Sequence, residues 1–158
     1  MIRRRLALES AAVALLAACA TLPGQEPVRV QVVDLEPASD GESLELRFLC
    51  VLRVQNPNDS EIPFSGVSLD LQIRGSAFAS GVSDISGSVP RFGEILVRVP
   101  VSASALNIAR VAIGLVMSDE ERPKVDYQLR GRMGSVRFDS SGEVNLPAGL
   151  GRSAARSG

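Results

Sequence analysis

The chain has 158 residues, of which 45% are apolar, 22% are charged and 4% are aromatic, and its formal net charge is -1. This composition is typical of one turn-rich globular domain and excludes a disordered chain or a coiled coil. Because there is neither a basic excess nor a tryptophan, we expect no nucleic acid partner. Histidine is absent, which removes the commonest general base and the commonest ligand for zinc, copper and iron, so we predict no metal and no cofactor.

Residues 1–18 have the pattern of an export signal. Three arginines at positions 3–5 precede an apolar run that ends at position 18 and is too short to span a bilayer. The sequence Leu-Ala-Ala-Cys at 16–19 resembles the bacterial lipobox. This resemblance implies that the signal is cut before Cys19 and that a diacylglycerol is attached to the cysteine sulfur. An ordinary cleaved signal with a cysteine near the cut is the alternative.

Lipid on Cys19 predicts a permanent membrane anchor, because each buried CH₂ contributes about 0.8 kcal/mol and two or three acyl chains make release negligible. The next residue is Ala20 and not aspartate, which is compatible with passage to the outer membrane. We therefore expect a lipid-anchored protein of the cell envelope, and in a Gram-negative organism one on the outer membrane that faces the periplasm. Residues 19–27, with two prolines, a glycine and no periodicity, are predicted to be a short tether.

The body of the chain is dominated by alternating apolar and polar residues, the pattern of strands with one buried face. The longest run has an apolar residue at every second position from Leu44 to Val54. The predicted strands or strand fragments lie at 28–35, 44–54, 67–73, 82–85, 95–101, 125–129, 136–138 and 144–146. Turn residues separate these runs, so we predict one mainly β domain at 28–146, an antiparallel sandwich of about seven strands. Residues 147–158 are predicted to be a disordered tail.

Cys50 lies on the second of these predicted strands. It could in principle pair with Cys19, but lipid attachment would consume the sulfur of Cys19. We therefore predict that Cys50 is a small buried hydrophobe.

Asn56-Pro57-Asn58 directly follows the longest predicted strand. Asn56 can close an Asx turn, and Pro57 fixes φ and removes a hydrogen-bond donor, so that strand pairing stops. We interpret Asn56, Pro57 and Asn58 as a structural turn motif and not as a ligand site. Three glycines of the body are likewise expected to supply backbone conformations that other residues resist: Gly66, Gly75 and Gly81.

Residues 104–117 break the alternation and are predicted to form one α-helix. Its apolar face is expected to carry Leu106, Ala109, Ile113 and Val116. Ser102 or Ser104 can serve as its N-cap, and Pro123 opposes its continuation. We expect the helix to pack against an end or edge of the sandwich. A helix that lies on a membrane is the alternative, although its polar face lacks the basic cluster that attracts anionic lipid.

The order of motifs along the body carries a family resemblance. After Asn56-Pro57-Asn58 come Ile62-Pro63-Phe64-x-Gly66-Val67, Leu69-x-Leu71-x-Ile73, Gly75, Ala79-Ser80-Gly81, Val89-Pro90, Gly93 and Val97-x-Val99-Pro100-Val101. This ordered set resembles the late-embryogenesis-abundant type 2 family, also described as the water-stress and hypersensitive-response domain. The resemblance implies an immunoglobulin- or fibronectin III-like β-sandwich of seven strands with one helix, and a role in protection against desiccation, cold or other stress.

No catalytic site is predicted. Without histidine, nucleophilic catalysis would need a lysine, a carboxylate pair or a thiol. The only lysine, Lys124, is expected to be a solvated surface charge. The three consecutive carboxylates at 119–121 should splay around a helix exit instead of converging on a metal ion.

Two functional hypotheses from different classes remain. The first is a non-enzymatic, lipid-anchored protein that protects envelope proteins or membranes under stress, as the family resemblance implies. The second is an envelope lipoprotein that binds a lipid, peptide or protein partner. It rests on the anchor, on exposed strand edges that can accept another strand, and on the apolar helix.

Overall fold

The computed structural model describes residues 24–38, 45–113, 115, 122–148 and 150. The export signal and Cys19, with the lipid attachment predicted there, lie outside these residues. In the described residues, seven strands and one helix follow one another: β1 (Arg29–Ala38), β2 (Glu45–Gln55), β3 (Ile62–Ile73), β4 (Ser76–Val89), β5 (Glu94–Ser104), α1 (Ala105–Ile113), β6 (Lys124–Met133) and β7 (Val136–Asn145).

All seven strands are antiparallel to their neighbours and form one sheet in the order β1-β2-β5-β4-β3-β6-β7. The sheet narrows between β4 and β5, where Ser80 and Ser102 form the ladder pair in the described residues. The two halves on either side of this narrow join share one core and curve into a nearly closed barrel. The prediction of a mainly β fold with about seven antiparallel strands and one helix is confirmed. The two layers of the predicted sandwich are joined through β4 and β5 into one sheet.

Several strands are longer than the predicted fragments, and in β4 and β7 the difference is most informative. The fragments at 136–138 and 144–146 belong to the single strand β7, and the fragment at 82–85 belongs to β4, which has 14 residues. Both strands contain serine and glycine where the alternation fades, as in Ser140-Ser141-Gly142. Backbone pairing with β6 nevertheless continues through this stretch of β7. The strand therefore continues because its neighbour pairs with it, although its own side chains do not alternate there.

The core is filled by side chains from both halves of the sheet. The rings of Phe48 on β2 and Phe78 on β4 lie 5.7 Å apart between centroids, on opposite sides of the join. Burying one aliphatic or aromatic side chain of this size contributes about 1.5–3 kcal/mol. The fully buried side chains with the largest volumes include Phe78, Leu35, Leu52, Leu71, Ile73 and Leu129.

Gly81 allows the two halves to meet. A Cβ atom at this position would lie 2.1 Å from the carbonyl oxygen of Pro100 on β5, so β4 can approach β5 only because the side chain is missing. The expected unusual conformation is found at Gly66 and Gly75, whose φ angles are 79° and 77°. For Gly81 the expectation of an unusual backbone conformation was wrong. Glycine is needed there because the backbone of β5 lies so close.

Helix α1 begins where the sequence indicated. The Oγ of Ser104 accepts a hydrogen bond from the backbone N–H of Asn107 at 3.2 Å, so Ser104 and not Ser102 is the N-cap. The helix ends at Ile113, and residues 116 and 117 of the predicted helix lie outside the described residues. Within the described part of the chain, no helix has the length and apolarity needed to cross a bilayer.

The predicted apolar face of α1 was wrong. Leu106 and Ile113 are 61% and 75% exposed, whereas Ile108, Val111 and Ala112 are buried against the sheet. These three also recur at helical spacing, because apolar residues occupy most of the circumference of α1. Periodicity alone therefore could not select the buried side, although the expectation that the helix packs against the sheet holds.

The packed body extends past the predicted start of the tail. Pro147 is buried and Leu150 packs against the core. Residues 151–158 lie outside the described residues, and their disorder stays a prediction.

Candidate functional site

The turn motif at 56–58 is a buried hydrogen-bonding centre. Asn56 is 3% exposed and Asn58 is 8% exposed. The Oδ1 of Asn56 accepts the backbone N–H of Asn58 at 2.9 Å, which closes an Asx turn at the end of β2. The Nδ2 of Asn56 donates to the carbonyl oxygens of Ser60, Val89 and Pro90 at 2.7, 3.3 and 3.1 Å. One side chain thus connects the β2–β3 connection to the turn between β4 and β5.

Asn58 ties the chain that precedes β1 to the same centre. Its Oδ1 accepts the backbone N–H of Glu26 at 2.7 Å, and its Nδ2 donates to the carbonyl oxygen of Glu26 at 2.8 Å. The backbone carbonyl of Asn58 also accepts the N–H of Phe92 at 2.9 Å. The side-chain amide of Asn58 thus binds the N–H and the carbonyl of Glu26 as a neighbouring strand would. These two hydrogen bonds hold the chain that leads toward Cys19 against the domain at Glu26.

Cys50 has the role predicted for it. It is fully buried and carries a free thiol, and burial raises the pKa of this thiol from 9.0 to about 12. A neutral thiol is a poor nucleophile and a poor metal ligand, so Cys50 contributes packing and no chemistry.

Some charged groups of the described residues form ion pairs on the surface. The Nζ of Lys124 lies 3.4 Å from the Oε2 of Glu143, and both side chains are largely exposed. Arg122 and Asp34 form a similar pair at 3.2 Å between the start of β6 and β1. Over the described ranges, no three carboxylate or cysteine groups lie close enough together to hold a metal ion. The acidic run at 119–121 lies outside those ranges.

A cleft of about 750 Å³ lies between the two edges of the sheet, and sequence reasoning missed it. One wall is formed by residues 26–31, at the start of β1, and the other by residues 137–141 of β7, backed by residues 128–130 of β6. The cleft exists only because β1 and β7, the first and last strands of the chain, lie at the two edges of a curved sheet. Local periodicity carries no signal for such an arrangement.

Tyr127 connects the two edge strands beside Ser140, one of the residues that line this cleft. The buried hydroxyl of Tyr127 accepts the backbone N–H of Val32 at 3.1 Å and lies 3.3 Å from the Oγ of Ser140. A side chain on β6 therefore links β1 to β7, two strands that form no backbone ladder with each other in the described residues. The edges are held together near their middles and are open toward the starts of both strands.

Known proteins place the chain in a family. The family model of late embryogenesis abundant protein, LEA_2, matches residues 51–148. No curated protein matches the chain.

Among solved structures, the chain is similar to the solution structure of the protein AT1g01470 from Arabidopsis thaliana. The TM-score is 0.54 at 19% identity, and the match covers 79% of this chain and 84% of that chain. A crystal structure of a protein from Archaeoglobus fulgidus has a TM-score of 0.42 at 12% identity, over 78% of this chain and 98% of that chain. At 19% identity the likeness to the Arabidopsis protein concerns the fold alone. The family model, in contrast, matches well over half of the 158 residues, and the chain therefore belongs to the late embryogenesis abundant protein family LEA_2.

Proposed function

We propose that this protein is a lipid-anchored LEA_2 domain that protects components of the cell envelope when water is lost or the cell is chilled. The observation that carries the proposal is the LEA_2 match over residues 51–148, in a chain whose residues 1–19 resemble an export signal with a lipobox ending at Cys19. The protection is non-enzymatic, and the anchor concentrates the domain at the surface that it protects.

The two hydrogen bonds between Asn58 and Glu26 support a defined orientation of the domain on the membrane. Six residues lie between Cys19 and Glu26, and the seven Cα–Cα steps that join them span at most about 25 Å even when fully extended. The end of the domain that carries the turn motif therefore stays close to the bilayer. Phe92, which is 72% exposed, lies at this end, because its backbone N–H is bound by Asn58. Arg91 beside it is also exposed. An exposed aromatic ring next to a cation suits the interface of an anionic membrane.

The surface of β4 supports a protective role. This strand carries serines at 76, 80, 83, 86 and 88, and those at 80, 86 and 88 are exposed. A hydroxyl group both donates and accepts hydrogen bonds, so it can replace water on a neighbouring protein or headgroup as the surface dries. Most apolar side chains of the described body are buried in one core, so the folded domain can also keep its neighbours apart.

The proposal is tested by drying. Purified domain, residues 20–158, is dried with a desiccation-sensitive enzyme, and recovered activity is compared with that given by an equal mass of an unrelated β-sandwich protein of similar charge. In cells, a deletion strain is complemented with the wild-type gene or with a version whose residues 1–19 are replaced by an ordinary cleavable signal.

We expect the domain to preserve more activity than the reference protein, and the anchored version to restore survival better than the soluble one. Equal activity with both proteins, together with a deletion strain that survives drying and freezing as its parent does, would contradict the proposal.

A further inference from the structure

We propose that the cleft between β1 and β7 binds an extended peptide segment of a partner protein, which lies antiparallel to both strands and alternates apolar with acidic side chains. This inference goes beyond stress protection and does not depend on lipid at Cys19. It identifies the kind of partner that the second hypothesis from the sequence left open.

The two edge strands of the sheet, β1 and β7, run in the same direction. Each strand of the sheet is antiparallel to its neighbours, so strands separated by an even number of steps run the same way. β1 and β7 are the first and the last of seven, and they therefore run parallel to each other. A short segment inserted between the open starts of these strands, beside residues 28–31 and 137–139, can therefore be antiparallel to both edges.

Backbone groups on β1 are available to such a strand. The N–H of Val32 points away from β2, since it donates to the hydroxyl of Tyr127. In an antiparallel ladder the outward groups recur at every second residue, so Val30 directs its N–H and its carbonyl toward the cleft. β7 pairs with β6 on one side only, and its other side faces the same cleft. Both edges thus offer the groups that bind an added strand.

The lining residues indicate which side chains the peptide carries. Val30, Leu129 and Phe138 are buried at the inner side of the cleft, where alternate side chains of an inserted strand would contact them. The outer rim carries three exposed arginines, Arg29, Arg130 and Arg137, against two carboxylates, Glu26 and Asp139. Among the described residues none of the three arginines is paired with a carboxylate. Acidic side chains at the alternate, outward positions of the peptide would pair with them.

Charge argues against the protein's own tail as the occupant. Residues 151–158 contain Arg152 and Arg156 and no acidic residue, so this segment would bring further positive charge to a rim that already carries unpaired arginines. A partner segment with glutamate or aspartate complements the rim instead.

The test uses isotope-labelled mature domain, residues 20–158, and a blocked peptide in which valine and glutamate alternate over eight residues. We expect it to bind with micromolar affinity and to shift the amide signals of Val28, Val30 and residues 137–141. A peptide of alternating valine and lysine serves as the charge control. A valine and glutamate peptide with N-methylated valines, which cannot donate along one edge, serves as the backbone control. Both controls should bind at least about tenfold more weakly.

The variant Arg29→Glu/Arg137→Glu should weaken binding of the acidic peptide about tenfold or more and strengthen binding of the lysine peptide. Its matched control is Arg47→Glu/Arg110→Glu, which makes the same charge change on exposed residues at the opposite end of the molecule and should leave the affinity unchanged. If the double variant is unfolded by circular dichroism, the single variant Arg29→Glu takes its place, with an expected loss of about threefold.

Absence of binding at about 1 mM acidic peptide, equal affinity for the two charges, or shifts centred on α1 would overturn the proposal. So would protection of the Val30 amide in the free protein that is lost on removal of residues 151–158, which would make the tail the occupant. A concentration-dependent dimer that protects the same amide would make a second copy the occupant and would also overturn it.

Discussion

Asn56 joins two distant turns of the described chain through one buried side chain. Its amide nitrogen reaches carbonyl oxygens of the β2–β3 connection and of the β4–β5 turn, while its oxygen holds the N–H of Asn58. The run Asn-Pro-Asn indicated a turn from sequence alone. Its burial was not predictable, because it depends on a turn more than 30 residues away that covers it.

We predict that Asn56→Ala lowers the free energy of unfolding by about 3 kcal/mol, because it removes the partner of one buried carbonyl group, of two part-buried carbonyl groups and of the buried N–H of Asn58. Urea denaturation measures the change. The matched control is Gln55→Ala, whose side chain makes an exposed hydrogen bond to Glu94 and whose loss should cost about 0.5 kcal/mol or less. Equal stability of the two variants would refute the role assigned to Asn56.

Cys50 gives a pH dependence with a definite sign. Burial raises the pKa of its thiol from 9.0 in the unfolded chain to about 12 in the folded protein. The stability that this group contributes is therefore complete below pH 9 and is lost as the pH rises from 9 toward 12. The loss is at most about 1.4 kcal/mol per pH unit.

The measurement is the free energy of unfolding of wild type minus that of Cys50→Ala, plotted against pH. We expect this difference to be constant below pH 9 and to fall above it. A difference that stays constant throughout the alkaline range would show that the thiol titrates alike in both states.

At the scale of elements, local chemistry predicted where α1 starts but not how it is oriented. Ser104 was one of two candidate caps, and its hydroxyl does bind the N–H of Asn107. The buried face could not be read from the sequence, because Leu106 and Ile113 are as apolar as Ile108 and Val111. Packing against the sheet determines which face of the helix is buried.

We predict that Ser104→Ala destabilises the protein by about 1 kcal/mol, since the first turn of α1 loses its cap. Ser102→Ala is the matched control, because Ser102 lies on β5 and caps nothing, so it should change stability by less than about 0.5 kcal/mol. Thermal unfolding of the two variants side by side separates them, and the reverse order of stability would contradict the assignment of the cap.

The strands were predictable where one face is strictly apolar, as from Leu44 to Val54. The predicted fragments were shorter than the observed strands where serine and glycine interrupt the pattern, as in β4 and β7. The cleft between β1 and β7 was beyond local patterns, since it follows from the curvature of the whole sheet, which brings its two edge strands near each other. Exposed strand edges were expected, but which edges face each other was not.

At the scale of the whole molecule, the fold depends on the narrow join between its two halves. Gly81 lies beside the ladder pair Ser80 and Ser102, and the missing side chain allows the close approach to Pro100. We predict that Gly81→Ala destabilises the domain by about 3 kcal/mol, because a methyl group meets backbone that cannot move without opening the join.

Gly87→Ala on the same strand is the control for Gly81→Ala. A methyl group at Gly87 meets only the ring end of Phe64, at 3.2 Å, and this ring can shift. Chemical denaturation should show the loss at Gly81 to be the larger of the two. Equal losses would mean that the close approach to Pro100 places no constraint on the fold.

In the proposed function the lipid anchor on Cys19 decides where this domain acts, because the described body offers packing and a proposed peptide cleft but no group assigned to catalysis. The most direct test is the intact mass of the protein extracted from cell membranes in detergent. We predict the mass of residues 19–158 plus a diacylglycerol and, commonly, one further acyl chain on Cys19, and no palmitate label on the Cys19→Ala variant. A protein with an unmodified Cys19, or one whose mature chain starts elsewhere, would contradict the lipid-anchored account.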